Sequence, residues 1–195
     1  MTMKAIDLST VADTAPEPPA RRAISFAVVT GAWALAVLAT AVVPARDPQV
    51  AGVALFIHLV SMAVGFGAVV MVDVYGLLWL FGARTLSELV ALAKVAHGVI
   101  ALGVAGLLAS GIPLRPDLTS GLARLKLLLV LVLMLNGVAA QRALHRLQAT
   151  LPTDLRGASI PWVAFQRVLF AALVSQSTWW GAIAIGFVTN GRRYS

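Results

Sequence analysis

Five apolar runs constrain the fold of this chain more than any other feature of its sequence. A helix of about 20 apolar residues crosses the roughly 30 Å hydrocarbon core of a bilayer. Short polar segments join the runs, and short connections are typical of antiparallel neighbours in a bundle. The sequence therefore predicts an all-α integral membrane bundle of about five transmembrane helices, arranged up and down. The runs cover 23–43, 49–82, 86–113, 120–147 and 161–189.

Composition supports the membrane class and excludes several others. The chain is 59% hydrophobic and only 12% charged, with a mean hydropathy of +0.89, whereas a soluble domain carries about 25% charged residues. The net charge is +7, but the Lys and Arg residues lie between the apolar runs, without a basic stripe that alternates with aromatics. We therefore expect contacts with membrane lipids, including anionic ones, and no nucleic acid partner.

The absence of cysteine narrows the chemistry that the chain can support. Because the sequence has no Cys, it cannot form disulfides, thiolate metal sites or the covalent C-x-x-C-H attachment of c-type haem. Phosphate-binding loops, nucleophile elbows and H-E-x-x-H zinc motifs are also missing from the sequence. A metal or haem would have to be held by His, Met, Lys, carboxylate or amide groups.

The chain divides into a tail, a membrane domain and a second short tail. Residues 1–22 are polar and rich in proline, which predicts a disordered N-terminal segment. Residues 23–190 form the five-span domain, and 191–195 form the C-terminal tail. A signal peptide is the alternative for the first run, because Ala39 and Ala41 resemble an A-x-A cleavage site. The length of the run and of the preceding tail favours a retained helix.

The distribution of basic residues predicts the orientation in a plasma or inner membrane. Cytoplasmic segments of membrane proteins carry an excess of Lys and Arg near span ends. The excess here is modest and favours a cytoplasmic N-terminus. The inner set is Lys4, Arg21, Arg22, Arg84, Arg142, Arg146, Arg156 and Arg167, and the outer set is Arg46, Arg115, Arg124, Arg192 and Arg193.

Two histidines are the first candidates for a functional site. His58 is the one ionisable residue in 50–72, and His97 is the one ionisable residue in 95–114. An ionisable group inside a membrane helix is costly and therefore indicates function, and imidazole is a common ligand of metals and haem iron. The alternative is a hydrogen bond from each ring to a serine or a carbonyl on a neighbouring helix.

Depth counting adds further polar residues to these histidines. At about 1.5 Å per residue, His58, His97, Lys126 and Gln176 fall near the bilayer middle or in the predicted outer half. Lys126 would face a haem propionate or a substrate carboxylate, or else extend to the interface. Met62, one turn after His58, would be a Cu(I) ligand, since thioether and imidazole suit that ion, or else a packing residue.

The predicted inner half contains a second polar set. Asp73 ends the second run and Lys94 begins the third, so that an Asp73–Lys94 ion pair would partly neutralise two costly charges. Asn136, Gln141 and Arg142 approach the same side from the fourth run. We interpret this set as structural.

Three stretches resemble small membrane proteins of the HemJ-type protoporphyrinogen oxidase and CopD-type copper-resistance groups. They are IHLVSMAVGFGAVVMVDVYGLLW from Ile57, the Ser110–Gly111 pair, and GLARLKLLLVLVLMLNGVAAQR from Gly121. The HemJ resemblance implies a haem-associated oxidation of a tetrapyrrole, with His58 and Lys126 as the essential residues. The chain departs from that group in having five runs rather than four and in having His97, which has no counterpart there.

Three function classes follow from these observations. The leading hypothesis is a bundle that binds b-type haem between His58 and His97, with Lys126 and Gln176 in support. It would act as an oxidoreductase or in electron transfer with a redox partner. The second is a copper transport or tolerance component of the CopD type, with His58, His97 and Met62 as ligands. The third is an accessory membrane subunit without a cofactor.

Overall fold

Five long α-helices make up a computed structural model of the chain, which describes residues 18–43, 47–150 and 162–191. Each helix is long and apolar enough to cross a membrane, and the described segments contain no β-strand. The predicted all-α membrane bundle is thus confirmed. The helices are α1 (Pro19–Val42), α2 (Pro48–Leu80), α3 (Leu86–Leu114), α4 (Gly121–Thr150) and α5 (Trp162–Gly191).

The predicted tails fall mostly outside the described residues. Segments 1–17 and 192–195 are not described, and neither are 44–46 and 151–161. Helix α1 begins at Pro19, four residues before the predicted start of the first run. Proline is favoured at the first position of a helix, where its missing N–H costs no hydrogen bond. The helix therefore includes the basic pair Arg21 and Arg22.

Local sequence signals explain where α2 and α3 begin. Asp47 accepts a hydrogen bond from the Gln49 amide at 2.8 Å, and Pro48 follows it as the first residue of α2. Thr85 and Glu88 form a capping box at the start of α3, which satisfies amide groups that the helix leaves unpaired. Between the two helices, Gly82 has a φ of 75°, a conformation that glycine adopts without a steric penalty.

The helices pack as two antiparallel hairpins, joined by α1. In the α2–α3 hairpin, Gly65 and Gly103 allow the two backbones to touch. In the α4–α5 hairpin, the Asn136 amide donates to the Ala171 carbonyl at 2.8 Å. Helix α1 lies against α3 and α4, where the Trp33 indole N–H donates to the Leu127 carbonyl at 3.0 Å.

Two apolar clusters form the core of the bundle. The central cluster contains Val69, Val104, Leu133 and Trp179, one residue from each of α2 to α5. The second contains Trp79, Leu86, Leu89 and Val90 and lies around the α2–α3 turn. Much of the remaining apolar surface of the helices is exposed, as expected for helices that face lipid.

Candidate functional site

His58 makes a hydrogen bond across the α2–α3 hairpin. Its Nδ1 lies 3.0 Å from the Ser110 hydroxyl oxygen, and Ser110 is only 5% exposed. The Ser110 hydroxyl donates its own hydrogen to the Gly106 carbonyl of the preceding turn. The hydroxyl must then accept from the ring, which assigns the Nδ1–H tautomer of neutral imidazole. In this tautomer Nε2 retains a lone pair and can act as a ligand or a base.

The close approach of α2 and α3 sets this pairing. A Cβ added to Gly103 would lie 2.7 Å from the Cα of Gly65, so that only glycine fits at this crossing. Seven residues correspond to about two helical turns. Going back seven residues from Gly65 on α2 and forward seven from Gly103 on α3 leads to His58 and Ser110. The glycine contact therefore determines which residue faces His58.

Lys126 of α4 approaches the same region. Its positive charge acts on the His58 ring, and its Nζ would lie 3.7 Å from a Cβ placed on Gly186 of α5. No carboxylate within the described segments forms an ion pair with Lys126. The ammonium is half-buried, and its predicted role toward an anionic group stays a prediction.

The expectation that His58 and His97 ligate one iron is wrong in this geometry. Ser110 lies opposite His58, and His97 precedes Ser110 by 13 residues on α3. That separation is roughly 20 Å along the helix axis, whereas two ligands of one metal lie about 4 Å apart. His97 instead lies near His145 of α4. Depth counting misplaced His97 because it did not include the register that Gly65 and Gly103 impose.

Gln176 also lies away from His58. Its amide N–H donates to Oδ2 of Asp73, and its carbonyl accepts from the Trp180 indole N–H at 3.1 Å. Asp73 follows His58 by 15 residues on α2, so that Gln176 is at a different level. The predicted Asp73–Lys94 ion pair does not form among the described residues. Lys94 is exposed on α3, while the amide from α5 reaches the carboxyl.

The remaining predicted metal ligand, Met62, packs against the central cluster. This contact agrees with the alternative that Met62 is a packing residue. In the parts of the chain that the structure describes, no three His, Asp or Glu side chains come together as a metal site would require. The candidate site is therefore built from three residues on three helices: His58, Ser110 and Lys126.

The hydrogen bond from His58 to a serine on a neighbouring helix, the alternative that the sequence left open, is the one to Ser110. The sequence marks Ser110 itself only as part of a Ser–Gly pair, and Trp180 is in none of the expectations. The spacing of Gln176 and Trp180, four residues apart on one helix face, was the available signal for Trp180. Comparison with protein-family models, with curated proteins and with solved structures finds no match for this chain.

Proposed function

We propose that this integral membrane protein binds b-type haem at His58 and acts in membrane redox chemistry or in a HemJ-like oxidation of a tetrapyrrole. The observation that carries the proposal is the His58–Ser110 hydrogen bond, with the charge of Lys126 beside it. Histidines that ligate metals almost always donate their other ring N–H to a fixed acceptor. Ser110 supplies such an acceptor, and Nε2 is the nitrogen that would reach the iron.

The proposed roles follow from the chemistry of each side chain. The Nε2 of His58 would ligate the iron, Ser110 would hold the ring in one tautomer and orientation, and Lys126 would bind a propionate through a charge-assisted hydrogen bond. When bound, haem would supply one-electron redox chemistry, tuned by this ligand and its surroundings. His97 and Gln176 have no part in this site, since both lie at the level of Asp73.

Haem titration of the purified protein tests this proposal. We expect the wild-type protein in detergent to take up haem and to give a reduced-minus-oxidised difference spectrum. His58→Ala should lose the spectrum, and Lys126→Met should weaken haem binding. His145→Ala is the matched control, because His145 is exposed and outside the site, and it should bind haem as the wild type does. Size-exclusion profiles verify that each variant is folded.

Two outcomes would overturn the haem proposal, and they favour the other function classes. The wild-type protein could fail to bind haem but bind Cu(I), with binding lost in both His58→Ala and Met62→Leu. That result would favour the copper transport class. If the wild-type protein binds neither haem nor copper, and His58→Ala reduces only stability, the accessory subunit class is correct.

A further inference from the structure

Apart from Glu88 in the first turn of α3, Asp73 is the one carboxylate inside an apolar span of the sequence, toward the C-terminal end of α2. It lies on α2, seven residues before the end of that helix at Leu80. The Gln176 amide of α5 donates to Oδ2 of Asp73. Among the described residues, no hydrogen bond and no ion pair reaches Oδ1.

The Trp180 indole determines the orientation of the Gln176 amide. Because the indole N–H can only donate, the amide oxygen must face Trp180, at 3.1 Å, and the amide nitrogen must face Asp73. Two hydrogen bonds in series thus lead from Trp180 through Gln176 to the carboxyl. Phe66 packs edge-on against Trp180, with ring centroids 5.2 Å apart, and this contact holds the indole in place. Both donors, the indole and the amide, are uncharged.

The ionisable groups near Asp73 on the adjoining helices are directed elsewhere. On α3, Lys94 is exposed and His97 lies near His145 of α4. On α4, Arg142 donates to the Arg22 carbonyl and lies over the Phe26 ring of α1. On α2 itself, Tyr75 lies under Arg84. No cation among the described residues therefore forms an ion pair with the carboxyl.

We propose that Asp73 is a proton-binding site, held by Gln176, that loads a proton on Oδ1 and exchanges it with water at the α2–α3 end of the bundle. An unpaired carboxylate in hydrocarbon is costly, and one neutral amide does not replace the lost hydration. Protonation removes the charge and leaves Oδ2 to accept from Gln176. Release breaks the Oδ1–H bond and transfers the proton to water. Gln176 acts here as a positioning residue.

This inference is independent of the haem proposal. Asp73 follows His58 by 15 residues, or about 22 Å of helix, and shares no contact with Ser110 or Lys126 among the described residues. Haem binding could fail and Asp73 could still bind a proton. The experiment therefore uses the full chain in lipid vesicles without added haem.

Infrared spectroscopy of the reconstituted protein tests the proton site. At neutral pH we expect a carboxylic acid C=O band that disappears when the pH is raised. The band should be lost in Asp73→Asn and retained in Asp117→Asn, a matched change at an exposed loop carboxyl. Gln176→Leu should keep the band but shift it to higher frequency, because the carboxyl loses its hydrogen bond. This shift distinguishes a positioning role from a purely structural one.

Two results would overturn the proton site. If wild type and Asp73→Asn have the same acid band at every pH, Asp73 is ionised throughout and binds no proton. If added Na⁺ abolishes the band at constant pH, the carboxylate binds a metal cation in place of the proton. Should Asp73→Asn fail to fold, wild-type protein labelled with ¹³C-aspartate reports the same band, and its absence at neutral pH contradicts the proposal.

Discussion

At the scale of single residues, the side-chain hydrogen bonds of the described spans are of two kinds, within one helix or between two helices. The hydroxyls of Thr40, Thr178 and Thr189 donate to carbonyls three or four residues earlier, and such bonds satisfy the group without orienting a neighbour. The bonds of His58 and Asn136 cross between helices. Only a bond between two helices can hold a side chain in place for a ligand. Among the described residues, His58 is the one histidine with such a bond.

The tautomer of His58 is testable in the protein without any cofactor. We expect ¹⁵N NMR of the three histidines to show His58 with a protonated Nδ1 and a bare Nε2. Ser110→Ala removes the acceptor and should give a mixture of tautomers, with stability reduced by about 0.6 kcal/mol, typical of a hydrogen bond between membrane helices.

Ser25→Ala is the control for the loss of a hydroxyl inside a span. The Ser25 hydroxyl donates only to the Arg21 carbonyl of its own helix, so that the His58 signals should remain unchanged. A His58 signal with a protonated Nε2 in the wild type would contradict the assigned tautomer and the ligand role of that nitrogen.

At the scale of helix pairs, the α2–α3 crossing decides which residues meet. Without a hydrophobic driving force between helices in lipid, association depends on close packing, for which small residues are favoured. Gly65 and Gly103 provide this packing, and Ser61 fills the space beside Gly106 in the next turn. The pairing of His58 with Ser110 is a consequence of that crossing.

Adding one methyl group at the crossing should separate the two helices. Gly103→Ala places a Cβ 2.7 Å from the Gly65 backbone, and such overpacking costs about 1–3 kcal/mol. We expect a lower thermal unfolding midpoint in detergent and a weakened His58–Ser110 bond, visible in the same ¹⁵N spectrum.

Gly98→Ala is the matched control on the same helix. No atom lies within 4 Å of a Cβ at Gly98, and alanine has the higher helix propensity. The unfolding midpoint of this variant should therefore equal or exceed that of the wild type. Equal destabilisation by both substitutions would show that the Gly65–Gly103 contact does not hold the hairpin.

At the scale of the whole molecule, the bundle consists of two hairpins and α1, which packs against one helix of each. Helices α2 and α3 form one closely packed pair, α4 and α5 form the other, and α1 touches α3 and α4. The connections α1–α2 and α3–α4 lie at one end, and α2–α3 lies at the other. Orientation in the membrane follows from charge rather than from this packing.

Because the chain has no native cysteine, single cysteines can test the orientation. Thr119→Cys lies in the α3–α4 connection and Ala83→Cys in the α2–α3 turn, and both positions are exposed. With a cytoplasmic N-terminus, an impermeant maleimide should label Thr119→Cys in intact cells and Ala83→Cys only after permeabilisation. The reverse labelling pattern would establish the opposite orientation.

The sequence by itself determined that the protein is a helical membrane protein, and it determined the number and the approximate limits of the helices. Twenty or more apolar residues in a row leave a chain few alternatives to a membrane helix, and signals such as Asp47–Pro48 and Thr85–Glu88 fix helix starts locally. It also singled out His58 and Lys126, since an ionisable side chain in such a run is conspicuous.

Only the tertiary structure decided which of these residues meet. Sequence spacing gives depth to within several ångströms but contains neither the register nor the rotation of one helix against another. The glycine contact of α2 with α3 set both, bringing His58 to Ser110 and leaving His97 about 20 Å away. Likewise, Asp73 is bonded to Gln176 of α5 rather than to Lys94, because packing of the two hairpins brings α5 to that face of α2.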